Sequence, residues 1–145
     1  MQFALDWRNR TRVGPLYTPR LFLDYIVDGE SLYDRHGHDL ISCLGWFVPD
    51  EDERAAQRLA LNGPPDVEDR VSIYVCPECG DVYCGAVTAI IEQEGDEIVW
   101  REIAHSTFDW WADCWSHEPL LSFSELRFHA SDYLRTITSR PPTTH

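Results

Sequence analysis

The stretch Cys76-Pro77-Glu78-Cys79-Gly80-Asp81-Val82-Tyr83-Cys84 constrains this 145-residue chain more than any other feature. Two cysteines three apart, followed by glycine, let a tight turn aim both thiolates at one tetrahedral ion, because Gly80 can take a backbone angle that a Cβ resists. Cys84 offers a third sulfur. Val71-Ser72-Ile73-Tyr74-Val75 is β-branched and aromatic and runs into the motif; Gly85 to Ile91 leaves it, and Ile98 to Ile103 follows the Gly95-Asp96 turn signal. The pattern predicts three antiparallel strands with the cysteine knuckle as the loop of the first hairpin. A metal there would fix the register of the sheet, and four protein ligands would leave no open position for catalysis.

A zinc ribbon needs two Cys-x-x-Cys pairs, and this chain has one. We assign the fourth ligand to Cys114, with Cys43, His105, His117, His36 and His38 as alternatives that likewise lack diagnostic spacing. The reading without metal is a tight hairpin of small buried cysteines, or a thiol pair or disulfide between Cys76 and Cys84. The nine-residue motif resembles the knuckles of rubredoxin-like and zinc-ribbon proteins, which implies a structural zinc. Cys-Pro-Glu-Cys-Gly-Asp followed by Cys-Gly-Ala-Val-Thr is similar to a group of small proteins from GC-rich bacteria; neither resemblance carries an activity.

Charge narrows the choice of partner. Against 25 acidic residues stand 12 basic ones, all arginine, for a formal net charge of -13. Nucleic acid and anionic membrane are excluded as partners on this balance, since both require a basic footprint and counterion release. A basic protein is the expected partner. Carboxylates bunch at Asp50 to Glu53, Asp66 to Asp69 and Glu92 to Glu97. Asp66, Glu68 and Asp69 are the candidate partner-binding residues, because they follow the helix-stop signal Gly63-Pro64-Pro65 and no capping role accounts for them. The start of the chain lacks a secretory apolar segment, no stretch is apolar enough to span a bilayer, and five cysteines are an odd count for a disulfide framework, so the expected compartment is the cytoplasm.

The remaining patterning predicts a single α+β domain over 1–139, mostly antiparallel sheet with two or three flanking helices, and a flexible tail over 140–145. Leu21 to Val27 reads as a strand closed by the Asp28-Gly29 turn, with Ser31-Leu32-Tyr33 returning; Leu40 to Phe47 is an apolar run of strand length stopped by Pro49. Asp50 is placed to cap a helix over Glu51 to Asn62, with Glu53 completing a capping box. Phe108, Trp111 and Trp115 share one face at helical spacing and predict an aromatic cap over the sheet, the alternative being an exposed platform. Ser122 to Phe128 predicts a last strand and Ala130 to Thr138 a last helix. His36-Gly37-His38 is a minor metal candidate. No established catalytic motif is present. The expected function is an acidic protein-binding module, most concretely an immunity or inhibitor protein for a basic toxin or enzyme. The alternative is a thiol oxidoreductase using Cys76 and Cys79, for which the usual βαβ setting is missing.

Overall fold

The computed structural model describes residues 1–145 and shows an α+β fold built on two antiparallel sheets. The first sheet starts where the sequence pattern signalled nothing. Strand β1 (Phe3–Asn9) pairs with β2 (Leu21–Val27) from Phe3↔Val27 to Asn9↔Leu21. Asp28 and Gly29, both at positive φ (51° and 81°), then turn the chain tightly. The return strand β3 is only Glu30–Ser31, since the Ser31 hydroxyl accepts the Asp34 N–H at 3.2 Å and caps a short helix, α1 (Leu32–His36). Leu32 and Tyr33 are therefore helical, not extended.

The second sheet has the order β4 (Ile41–Ser42), β5 (Val71–Val75), β6 (Ala86–Glu94), β7 (Glu97–Asp109), β8 (Cys114–Pro119). Strand β7 is long enough to serve two neighbours on one side. Its first residues, Glu97 to Trp100, pair with β9 (Leu126–His129), and its last, Ala104 to Asp109, pair with β8. The Leu40–Phe47 run contributes only two residues to the sheet. The rest winds as a buried loop whose Leu44 carbonyl accepts from Leu23 N–H at 2.9 Å, joining the two sheets.

Helix α2 spans Pro49–Leu59, and the capping expectation is corrected. Pro49 does not stop the preceding run. It occupies the first helical turn, where its missing N–H costs nothing and its fixed φ is suited to the helix. Asp50 lies inside the helix, Val48 precedes it without a side-chain cap, and Glu53 binds Gln57 and Arg140 instead of closing a box. At the other end Leu61, at φ 62°, takes the left-handed position expected of Gly63; Asn62 N–H bonds Gln57 O at 2.8 Å and Leu61 N–H bonds Arg58 O at 3.2 Å.

A single apolar cluster draws on both sheets and all three helices, the last being α3 (Ala130–Thr138). Its centre is aromatic: Trp100 is fully buried among Phe3, Tyr25, Phe128 and Tyr133. Each such side chain contributes about 1.5–3 kcal/mol by burial. The polar ends are satisfied in series, Trp100 Nε1–H donating to Tyr133 Oη at 3.2 Å and Tyr133 O–H donating to Leu59 O at 2.7 Å, which ties α3 to the end of α2.

Two further expectations fail. Residues 108–115 form no helix. Phe108 and Trp115 face each other across the β7–β8 hairpin, and the Asp109 carboxylate accepts the N–H groups of Trp111 and Ala112 at 2.9 and 3.2 Å, making a turn with Asp113 at φ 54°. Aspartates that bond their own backbone outweigh the helical spacing of the aromatics. Nor does the segment 140–145 dangle. Arg140 pairs with Asp52 at 3.0 Å and Glu53 at 2.7 Å, Thr143 donates to Phe47 O at 2.5 Å, and Thr144 N–H donates to Gly45 O at 2.9 Å. No helix is long and apolar enough to cross a membrane.

Candidate metal centre

Strand β5 delivers the chain to Cys76, whose carbonyl accepts the Gly80 N–H at 2.8 Å and so closes the knuckle. Gly80 holds φ 72°, and a Cβ on it would lie 2.5 Å from Phe47 Cε1, so glycine is required both by the backbone and by the ring above it. The Asp81 N–H points at Cys79 Sγ (3.5 Å), a donor that stabilises a thiolate. The Asp81 carboxylate accepts from Tyr83 N–H at 2.9 Å and caps a 3-10 turn, Val82–Cys84, that returns Cys84 toward the pair before β6 begins.

These turns bring the sulfurs of Cys76, Cys79 and Cys84 within 4.8 Å of one another, with Cys79 and Cys84 at 3.4 Å. Cys76 is half-buried and the other two are exposed. Burial opposes ionisation of Cys76, but the N–H groups of Cys79 and Glu78 and the neighbouring thiols outweigh it and hold the thiol below its ordinary value. Cys84 is pushed up to about 12, first by its contact with Cys79 and then by burial. Three thiols this close cannot all ionise without a compensating cation. A thiophilic divalent ion supplies that compensation, and the three side chains could hold one.

The knuckle is seated from outside by a segment that nothing in the sequence marked. Glu78, between the two cysteines of the pair, accepts from Thr18 N–H at 3.0 Å, from Thr18 Oγ1 at 2.6 Å and from Arg10. Arg10 also binds Asp39 through two nitrogens, at 3.0 and 2.6 Å. Arg20 donates to Pro77 O at 2.8 Å and lies over the Trp46 ring at 4.6 Å. The Glu78 carboxylate inside the knuckle is the one signal from which such a clamp could have been read.

Cys114 does not join the cluster: it begins β8 opposite Asp109, exposed on the hairpin and outside the three-sulfur group. Cys43 is buried, its thiol pushed up to about 12 by burial. His117 bonds Ser106 Oγ at 2.7 Å and Glu68 at 2.6 Å. His36, His38 and His105 form a ladder of rings with centroids 6.1 and 4.1 Å apart, in which His36 Nδ1 accepts the His38 N–H at 3.0 Å.

The acidic triplet separates into different roles. Asp66 caps no helix but is a structural anchor, accepting from Ser72 N–H at 2.8 Å and Ser72 Oγ at 2.5 Å and pairing with Arg58 at 3.5 Å, so its placement as a partner-binding residue is corrected. Glu68 binds His117 and fastens its loop to β8, while Asp69 is exposed.

Beside the knuckle stands an aromatic surface. The Tyr83 ring, in the turn that ends at Cys84, lies 5.1 Å from Phe108, 5.4 Å from Trp110 and 5.2 Å from Trp115. Trp110 is 71% exposed and Trp111 fully so. Phe108 and Trp115 are half-buried and Trp111 stands apart in solvent, so the three do not form a buried cap over the sheet. The chain matches no family model, no curated protein and no solved structure in comparisons with known proteins.

Proposed function

We propose that this chain is a protein-binding module in which zinc, held by Cys76, Cys79 and Cys84, braces an aromatic and acidic face that receives a basic protein. The observation that carries the reading is the position of Tyr83. It sits in the turn ending at the third cysteine, and its ring packs on Phe108, Trp110 and Trp115. Ordering the knuckle by metal therefore orders one wall of the platform. Three thiolates around a divalent cation leave one net negative charge, and Arg101 is the only Lys or Arg between Arg70 and Arg127. The two hairpins thus offer carboxylates and aromatic rings with almost no counter-charge, which favours a guanidinium- or ammonium-bearing partner and speeds its encounter. An immunity or inhibitor protein acting on a basic toxin or enzyme is the concrete form of this reading.

The test is affinity capture from source-cell extract with the wild type and with a Trp110→Ser/Trp111→Ser variant, at low and high salt. We expect a basic protein that is retained by the wild type at low salt, weakened by salt, and lost with the variant or after chelation. Capture indifferent to all three changes, or no captured protein, would reject the binding face. Metal analysis of protein purified without added zinc checks the brace separately, as does a fall in melting temperature on chelation.

A second reading rests on the 3.4 Å approach of Cys79 and Cys84 Sγ, both exposed. A thiol oxidoreductase would transfer two electrons and two protons from this dithiol to a substrate disulfide, closing its own. The close pair is then Cys79 and Cys84 in place of Cys76 and Cys79, and β5 leads into a second strand instead of an activating helix. Disulfide-reductase turnover abolished by Cys79→Ser in a folded variant would favour this reading over the first.

A further inference from the structure

We propose that the imidazole of His145 supplies the fourth donor to the metal held by Cys76, Cys79 and Cys84. This rests on the proposal that the three cysteines bind a metal. His145 is the one histidine outside the cluster that lines a cleft together with a cluster cysteine: a space of about 420 Å³ bordered by Cys79, Gly80, Phe47, Arg20 and His145 itself. The path of the chain accounts for the placement. After α3, Arg140 is fixed between Asp52 and Glu53, Thr143 donates to Phe47 O at 2.5 Å, and Thr144 bonds Gly45 O through its N–H at 2.9 Å and its hydroxyl at 3.1 Å. Phe47 is the residue whose ring covers Gly80 in the knuckle. The segment bearing His145 is therefore fastened to the wall of the site, and its imidazole, which lies outside the three-sulfur group in this structure, has to swing toward the sulfurs when a metal binds.

None of the competing donors lines a cleft together with a cluster cysteine, although His105 Nε2, 3.6 Å from where a Cβ on Gly85 would stand, comes near the residue after Cys84. Cys43 is buried against Ser72, Cys114 lies at the start of β8, His117 is held between Ser106 and Glu68, and His36, His38 and His105 stack on one another. Charge also favours a histidine. Three thiolates and a divalent cation already carry one negative charge in a chain of formal charge -13; a neutral imidazole completes the tetrahedron without adding to it, whereas a fourth thiolate would.

The experiment uses the full chain, reduced and free of metal, titrated anaerobically with Co²⁺ alone and followed by its thiolate-to-metal charge-transfer and ligand-field absorption. The wild type should show three-thiolate charge transfer with a tetrahedral ligand field. His145→Ala should keep the charge-transfer bands, lose ligand-field intensity, and bind Co²⁺ about tenfold or more weakly, since even outer-shell losses cost that much. Free imidazole added to the variant should restore the wild-type spectrum, a result that a purely structural role of the tail would not produce. A His145→Ala spectrum and affinity equal to the wild type would overturn the inference while leaving the three-cysteine site standing. It is overturned equally if Cys114→Ser or His105→Ala produces the change and His145→Ala does not. Absence of thiolate charge transfer in the wild type would instead sink the metal reading and this inference with it.

Discussion

Thr18 and Glu78, 60 residues apart, are joined twice, through the Thr18 N–H at 3.0 Å and its hydroxyl at 2.6 Å. With Arg10 on the same carboxylate, a loop between the first two strands holds the knuckle of the second sheet. The Thr18 hydroxyl first, and Arg10 next, keep the Glu78 carboxyl down at about 2 against an ordinary 4.5. A folded-state value below the unfolded one stabilises the fold above pH 4.5, and that contribution is lost as the pH falls from 4.5 toward 2. Glu78→Gln should therefore lower the melting temperature at neutral pH and flatten the acid limb of a melting-temperature profile. An acid limb unchanged by the substitution would show that the clamp does not bear on stability.

Gly80→Ala tests the contact with Phe47. The added Cβ meets the ring at 2.5 Å in a conformation at φ 72°, so the variant should lose about 1–3 kcal/mol in urea unfolding. Enlarging the space with Phe47→Leu should recover part of the loss. Full stability in Gly80→Ala alone would mean that the knuckle turn is not under this constraint.

His36 adds a second step of the same sign, at higher pH, to the profile. Burial first, then the neighbouring His38, lowers it from 6.5 to about 4; His105 on β7 acts in the same direction and Asp34 opposes it. A base depressed in the folded state adds stability above pH 6.5 that is lost as the pH falls through the folded value, so the wild type should shed up to about 3 kcal/mol across that window. His36→Gln should be less stable at pH 7 yet shallower between pH 6.5 and 4 in chemical unfolding. A slope equal to that of the wild type would remove His36 from the account.

The acidic loop after α2 divides by role. Asp66→Arg strips the Ser72 N–H of its acceptor and sets two arginines together, and should cost about 1–3 kcal/mol. Asp69→Arg, at an exposed position, should stay within about 0.5 kcal/mol of the wild type. Thermal melts of the pair decide it, and equal effects would contradict the distinction.

Trp111 and Trp100 provide the matching contrast among aromatics. Trp111→Ala should leave stability within about 0.5 kcal/mol of the wild type. Trp100→Ala should cost about 3–5 kcal/mol, because one indole is fully exposed and the other is enclosed by four aromatic rings. Loss of partner capture without loss of stability in Trp111→Ala is the signature of a binding surface.

Local chemistry made several elements readable. Val71–Val75, the glycine-bounded knuckle, the Asp28-Gly29 turn and Ala130–Thr138 are each specified by residues adjacent in the chain: β-branched side chains, obligate positive φ, and apolar positions at helical spacing. The three clustered cysteines were legible for the same reason, because nine residues leave little freedom to separate them. Elements that depend on a distant neighbour were not. Phe3–Asn9 carries polar residues and becomes a strand because Leu21–Val27 pairs with it along its full length; Cys114–Pro119 does so on the last six residues of β7.

By itself, then, the sequence determined the acidity of the molecule, its α+β class and the convergence of Cys76, Cys79 and Cys84, all properties of composition or of short range. Tertiary structure decided which carboxylates are spent on the fold, that Arg10, Thr18 and Arg20 grip the knuckle, that the tryptophans of the β7–β8 turn face solvent, and that the segment 140–145 returns to Gly45 and Phe47. The physical reason is that a hydrogen bond or a buried face across tens of residues is chosen by the whole packed arrangement, in which every buried polar group must find a partner, and no local pattern records which one it finds.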